Sequence, residues 1–121
     1  MTLADMAYPE KRLRVPRIAY DDLRFLWVTD YRDDVRSGML MYCGEECWYQ
    51  VFAERENGAS VYRSFAVLRL SPAQVADEMR WHGQLRERVG EGRNWEWWIE
   101  VYRERTSPDY SVCEVIGWFE C

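Results

Sequence analysis

MLMYCGEECWYQVFAERENGASVYRSFAVLRL, Met39 to Leu70, is the stretch that decides the fold. Met39 to Tyr42 and Cys47 to Ala53 are short apolar runs on either side of Gly44-Glu45-Glu46, and a brief glycine-containing connection between such runs predicts a β-hairpin. Asn57-Gly58 repeats the signal, because this dipeptide readily takes the left-handed backbone of a two-residue turn. It leads into Ser60 to Leu70, where Val61, Phe65 and Val67 alternate with Tyr62, Ala66, Leu68 and Leu70. A strand apolar in both registers is expected at the centre of a sheet, covered at least in part by a helix.

The flanks extend this pattern. Upstream, Phe25-Leu26-Trp27-Val28 is a buried-strand run that ends at an acidic loop, Asp30-Tyr31-Arg32-Asp33-Asp34. Downstream, Ser71 supplies an N-cap, Pro72 suits the first helical position and Gln74 completes a capping box. Val75, Met79, His82, Leu85 and Val89 then recur at helical spacing on one face, and Gly90 and Gly92 end the helix. Trp95, Trp97, Ile99 and Val101 alternate with Glu96, Trp98, Glu100 and Tyr102, a strand pattern that a short helix would also accommodate. Thr106 to Asp109 reads as a turn and Val112 to Phe119 as the final strand. Met1 to Pro16 has two prolines and no period, as expected of an arm that lies over the domain or is partly disordered. The sum predicts an α+β fold, an antiparallel sheet of about four or five strands with one main helix packed on it. An N-terminal arm, residues 1–19, precedes a single domain, residues 20–121.

A chain of 121 residues suits one core. Its seven Trp and eight Tyr outnumber what so small a core needs, so some rings are expected at the surface, where amphipathic rings serve binding. The net charge of −5 argues against wrapping nucleic acid and favours a basic protein partner. Lys11 is the only lysine among 16 basic residues, a bias that a GC-rich genome produces and that also suits bidentate contacts. No apolar run approaches the roughly 20 residues of a membrane span, and no basic-then-hydrophobic export signal opens the chain. A cytoplasmic location is therefore expected, with no membrane association.

Asp30, Tyr31, Asp33, Ser37 and Gly38, then Tyr42, Gly44 and Trp48, then Trp81, His82, Leu85, Val89 and Gly90, follow a recognisable order. They resemble a group of small uncharacterised bacterial proteins with an Asp-Tyr-x-Asp-x-x-x-Ser-Gly segment, a Tyr-x-Gly hairpin and a later Trp-His helix. The match spans most of Leu26 to Gly90 and departs at Asp34-Val35, where the group carries Gly-Pro. The resemblance implies one compact domain and carries no activity with it.

Four constellations bear on chemistry. Asp30, Asp33 and Asp34 can supply part of an oxygen shell for a hard cation, although Asp bonding to its own backbone in a turn explains the same letters. His82 has Glu78 one turn before it and Arg86 one turn after, an arrangement for an oriented imidazole or for a hydrogen-bonded helix histidine. Cys43, Cys47, Cys113 and Cys121 do not have zinc-knuckle spacing and are read as free thiols. Trp95, Trp97 and Trp98, with Trp118 and Phe119, can form an aromatic platform or close the core. The expectation is a non-catalytic protein that binds a protein partner, in the manner of immunity, inhibitor or adaptor proteins. Its acidic, aromatic surface would draw on Asp30, Tyr31, Asp33, Asp34, Trp48, Trp81, His82 and Trp98, with no cofactor or metal. The alternative is a small-ligand pocket or small enzyme using Asp33 and His82.

Overall fold

Period-two alternation commits side chains to opposite faces of a sheet. In the computed structural model, which describes residues 1–31, 35–89 and 108–121, it produces five antiparallel strands in sequential order. These are β1 (Arg24–Tyr31), β2 (Val35–Tyr42), β3 (Glu45–Asn57), β4 (Ser60–Arg69) and β5 (Val115–Glu120). A short helix α1 (Pro9–Arg12) precedes them, and a long helix, α2 (Pro72–Val89), follows β4. The sheet and main helix of the expected α+β fold are both present. Two compact units result: Met1–Leu70 with Tyr110–Cys121, which holds the whole sheet, and Ser71–Asp109, which holds α2.

Both hairpins form, the first with a tighter turn than the sequence suggests and the second with its two-residue turn shifted by one position. Tyr42 pairs with Glu45, so Cys43 and Gly44 alone make the first turn and the two glutamates belong to β3. Cys43 and Gly44 have φ of 51° and 76°, the left-handed pair that matches the twist of a two-residue hairpin. In the second hairpin Asn57 pairs with Ser60, leaving Gly58 at φ 64° as the first loop residue.

One face of the sheet, here the inner face, carries Leu40, Cys47, Tyr49, Phe65, Val67 and Phe119 in a single buried cluster joined by Ile18. Met39, Trp48, Ala66 and Leu68 are buried on the other face. Strand spacing would hold β1 and β5 roughly 19 Å apart in a flat sheet. Instead, the Phe25 ring of β1 and the Phe119 ring of β5 lie 5.6 Å apart. The sheet is therefore rolled about its inner face.

The N-terminal arm closes part of the seam that this rolling creates. Trp118 N–H donates to Pro16 O at 3.1 Å and Ile18 N–H to Trp118 O at 2.7 Å, a short parallel bridge along the outer edge of β5. Six residues after Ile18 the same chain enters β1 and pairs with β2 at Arg24. Nearer the start, Val115 N–H donates to Met1 O and Leu3 N–H to Ser111 O, covering the beginning of β5. Lys11 binds Asp5 at 3.0 Å, and the Arg12 guanidinium lies over the Phe52 ring. The stretch of edge covered in this way, as far as Trp118, is closed to a foreign strand.

In α2 the expected capping box is formed: Gln74 N–H donates to Ser71 Oγ at 3.2 Å and Ser71 N–H to Gln74 Oε1 at 2.8 Å. The buried line of the helix differs from the expected one. Glu78 is 1% exposed whereas Met79 is 51% exposed, so this line runs through Val75, Glu78 and His82 and leaves Met79 outside it. The side chains of Leu85 and Val89 lie outside the described residues.

Glu120 ties the end of β5 to its neighbours. It accepts two hydrogen bonds from Arg55, at 2.7 and 3.2 Å, with Arg17 at 3.9 Å and Ser64 Oγ at 3.5 Å. The Arg55 hydrogen bonds, reinforced by the charges of Arg55 and Arg17, hold its carboxyl below the ordinary value of 4.5. A carboxyl with a depressed folded value contributes stability above its unfolded value, and that contribution disappears as pH falls through the lower folded value. Thermal stability is therefore expected to drop on acidification below about pH 4.5, and to drop less steeply in Glu120→Gln. Parallel melting-temperature curves for the two proteins between pH 6 and pH 2 would exclude this role.

Candidate functional site

Rolling the sheet packs four aromatic rings on the inner face. Phe65 and Phe119 stack at 5.1 Å with planes 12° apart, Tyr49 meets the Phe65 edge at 5.8 Å, and Phe25 stands edge-on to Tyr49 at 5.4 Å. Tyr20, from the turn before β1, lies 5.3 Å from Phe25. Beyond the Pro16–Ile18 bridge, β1 and β5 run in the same direction without pairing to each other. A hollow of about 410 Å³ opens there.

Tyr49, Phe65 and Phe119 form its floor and are buried. One wall is the consecutive run Phe25-Leu26-Trp27-Val28 of β1, which presents residues of both registers because the strand bulges between Phe25 and Trp27. Val61, Arg63 and Cys121 stand on the β4 and β5 side. At the rim, Tyr20 is 53%, Phe25 38% and Val61 43% exposed. Large apolar residues clustered and exposed around a concavity are less common than scattered ones, and mark contact sites.

Two polar groups that line the hollow, those of Tyr49 and Arg63, have partners within the fold. Tyr49 Oη donates to Trp27 O at 3.4 Å, and burial pushes its phenol well above the ordinary tyrosine value, so it stays neutral. Arg63 Nε donates to Glu54 Oε1 at 3.2 Å, and that oxygen also accepts from Arg36 at 2.8 Å. Cys47, in the same inner cluster, is pushed up to about 11 by burial and remains a thiol at neutral pH. Such a lining has room for an apolar side chain or ligand body. Among the described residues no group of three or more His, Cys, Asp or Glu is placed to hold a metal ion.

The expected site residues fall in several places. Trp48 must be removed from the candidate surface. At 3% exposure it is buried on the face opposite the hollow, edge-on to Tyr110 at 5.0 Å, with Nε1 donating to Gln50 at 3.2 Å. Asp30 and Tyr31 end β1, opposite Ser37 and Val35, but their side chains lie outside the described residues. Asp33, Asp34 and Trp98 lie outside them altogether. Trp81 and His82 are partly buried on α2, in the second unit. All four cysteines are free thiols. Sequence reasoning missed Tyr20, Phe25, Val28, Val61 and Phe119 as one group. By register Phe25 lines up through Leu40 and Cys47 with Arg69 at the end of β4, whereas Val61 stands at its start, so the group becomes a site only once the sheet rolls.

No protein-family model matches this chain, and no match is found among curated proteins or solved structures. No helix among the described residues is long and apolar enough to cross a membrane.

Proposed function

We propose that this is a non-catalytic binding protein and that its contact with a protein partner is the aromatic hollow of the rolled sheet. The observation that carries the reading is the ring of exposed Tyr20, Phe25 and Val61 around the buried floor of Tyr49, Phe65 and Phe119. An aromatic concavity of this kind receives an anchor side chain, the arrangement that concentrates binding energy at protein interfaces. The acidic balance of the chain adds attraction for a basic partner.

The test is affinity capture from an extract of the source cells, using the wild-type protein and Val61→Arg. Val61 is exposed, so the substitution changes the contact and not the core. The expected result is a stoichiometric protein retained by wild type and weakened at least about tenfold by Val61→Arg, which is 1.4 kcal/mol of lost contact. Equal retention by both would remove the hollow from the interface. The volume also lies within the range of small-molecule sites, about 300–1,000 Å³. A small molecule that copurifies in native mass spectrometry and is displaced by Val61→Arg would replace the protein-partner reading with the ligand-pocket one.

A further inference from the structure

The strand beside the hollow has a free side. β1 pairs with β2 on one edge, and no strand among the described residues pairs with its other edge. Across the seam, β5 is bridged by the arm only as far as Trp118. Arg63 and Cys121 exchange both backbone hydrogen bonds, which by antiparallel alternation turns the N–H and C=O of Glu120 toward the outer side, the direction in which Trp118 meets the arm. Past the bridge, then, two strand edges border one apolar hollow, and no described strand lies between them.

Charge gives the occupant its chemistry. Beside the β1 wall, from Tyr20 to Val28, the sequence holds Asp21 and Asp22 against Arg24. Asp21 and Asp22 are exposed next to Tyr20 and form no ion pair among the described residues. Arg63, on the opposite side of the hollow, shares Glu54 with Arg36. An incoming positive charge is thus favoured at the Asp21 and Asp22 side of the rim and by the net charge of −5, while the floor accepts only apolar surface.

We infer that the occupant is an extended, cationic segment of the protein partner that adds as a strand to the free edge of β1 and drops an aromatic or branched aliphatic side chain into the hollow. Strand addition supplies affinity through backbone hydrogen bonds, and alternate side chains supply selectivity. The bulges of β1 restrict the register in which a strand can join, so the added segment is short. The inference rests on the binding reading above and specifies its partner.

Selection of displayed random seven-residue peptides on the intact protein tests it, followed by titration of the winning peptides in solution. Winners are expected to carry Lys or Arg around an apolar residue, and to lose at least about tenfold in affinity to Val61→Arg. The Asp21→Asn/Asp22→Asn pair should weaken them severalfold at low salt and flatten the salt dependence, because exposed charges act through screened attraction. Backbone N-methylation of a winning peptide should abolish binding at alternate positions and be tolerated between them. Acidic winners, or no winners, would overturn the inference. Winners that depend on Val61 but are indifferent to N-methylation at every position would overturn strand addition while leaving the hollow as the binding site. A failure of protein capture as well would bring down the binding reading itself.

Discussion

Phe119→Ala is expected to lower the unfolding free energy by about 3–5 kcal/mol, the range for emptying a buried phenylalanine site that cannot collapse. Phe119 is buried, stacks on Phe65 at 5.1 Å and lies within 5.6 Å of Phe25 and 6.2 Å of Tyr49. These neighbours come from β1, β3 and β4, so one ring joins strands from across the sheet. Truncation leaves a void that a rolled sheet can fill only by giving up its curvature. Urea denaturation measures the loss, with Val112→Ala as the control. Val112 is exposed, and its replacement should stay within about 0.5 kcal/mol of wild type. A loss below about 1 kcal/mol for Phe119→Ala, well under the range for such sites, would mean that the inner face is not closed around this ring.

Gly38→Ala should also be costly, by about 3 kcal/mol, at the upper end of what overpacking usually costs. A Cβ at Gly38 would stand 2.6 Å from Tyr49 Oη and would press on the carbonyl oxygen of Trp27. Neither obstacle is a flexible side-chain end. Trp27 O belongs to the paired β1 backbone and accepts the hydrogen bond of Tyr49, so relief on one side strains the other. Gly83→Ala provides the opposite case. Nothing lies within 4 Å of its added Cβ, and a helix interior favours Ala over Gly by up to about 1 kcal/mol. Denaturation midpoints moving in opposite directions for the two substitutions are the expected result. A neutral Gly38→Ala would show that β1 is not held close against β2.

What the sequence made legible was local. Alternation in Ser60 to Leu70 identified β4 and its two buried faces, because the period of a strand is independent of what covers it. Ser71 and Gln74 marked the helix start through a contact three residues apart. The failures were those of surroundings. Trp48 sits on a strand buried on both faces, where period alone cannot separate a contact ring from a core ring. Met79 was placed on the packed face by its spacing, yet it is 51% exposed while the adjacent Glu78 is buried. The hollow had no local signature, since Phe25 and Phe119 meet through curvature accumulated over five strands. The acidic loop at Asp33 and Asp34 and the tryptophans from Trp95 to Trp98 lie outside the described residues.

The bridge between Pro16–Ile18 and Trp118 sets an order of events in folding. The β2–β3 and β3–β4 ladders connect residues close in sequence and can form as soon as their turns close. The bridge joins positions about a hundred residues apart, so its loop-closure entropy must be met before its few hydrogen bonds give any return. During synthesis Ile18 leaves the ribosome early and has no partner until β5 follows. The arm therefore acts as a latch that engages last, and until it does, the β5 margin of the nascent sheet is open to a neighbouring chain.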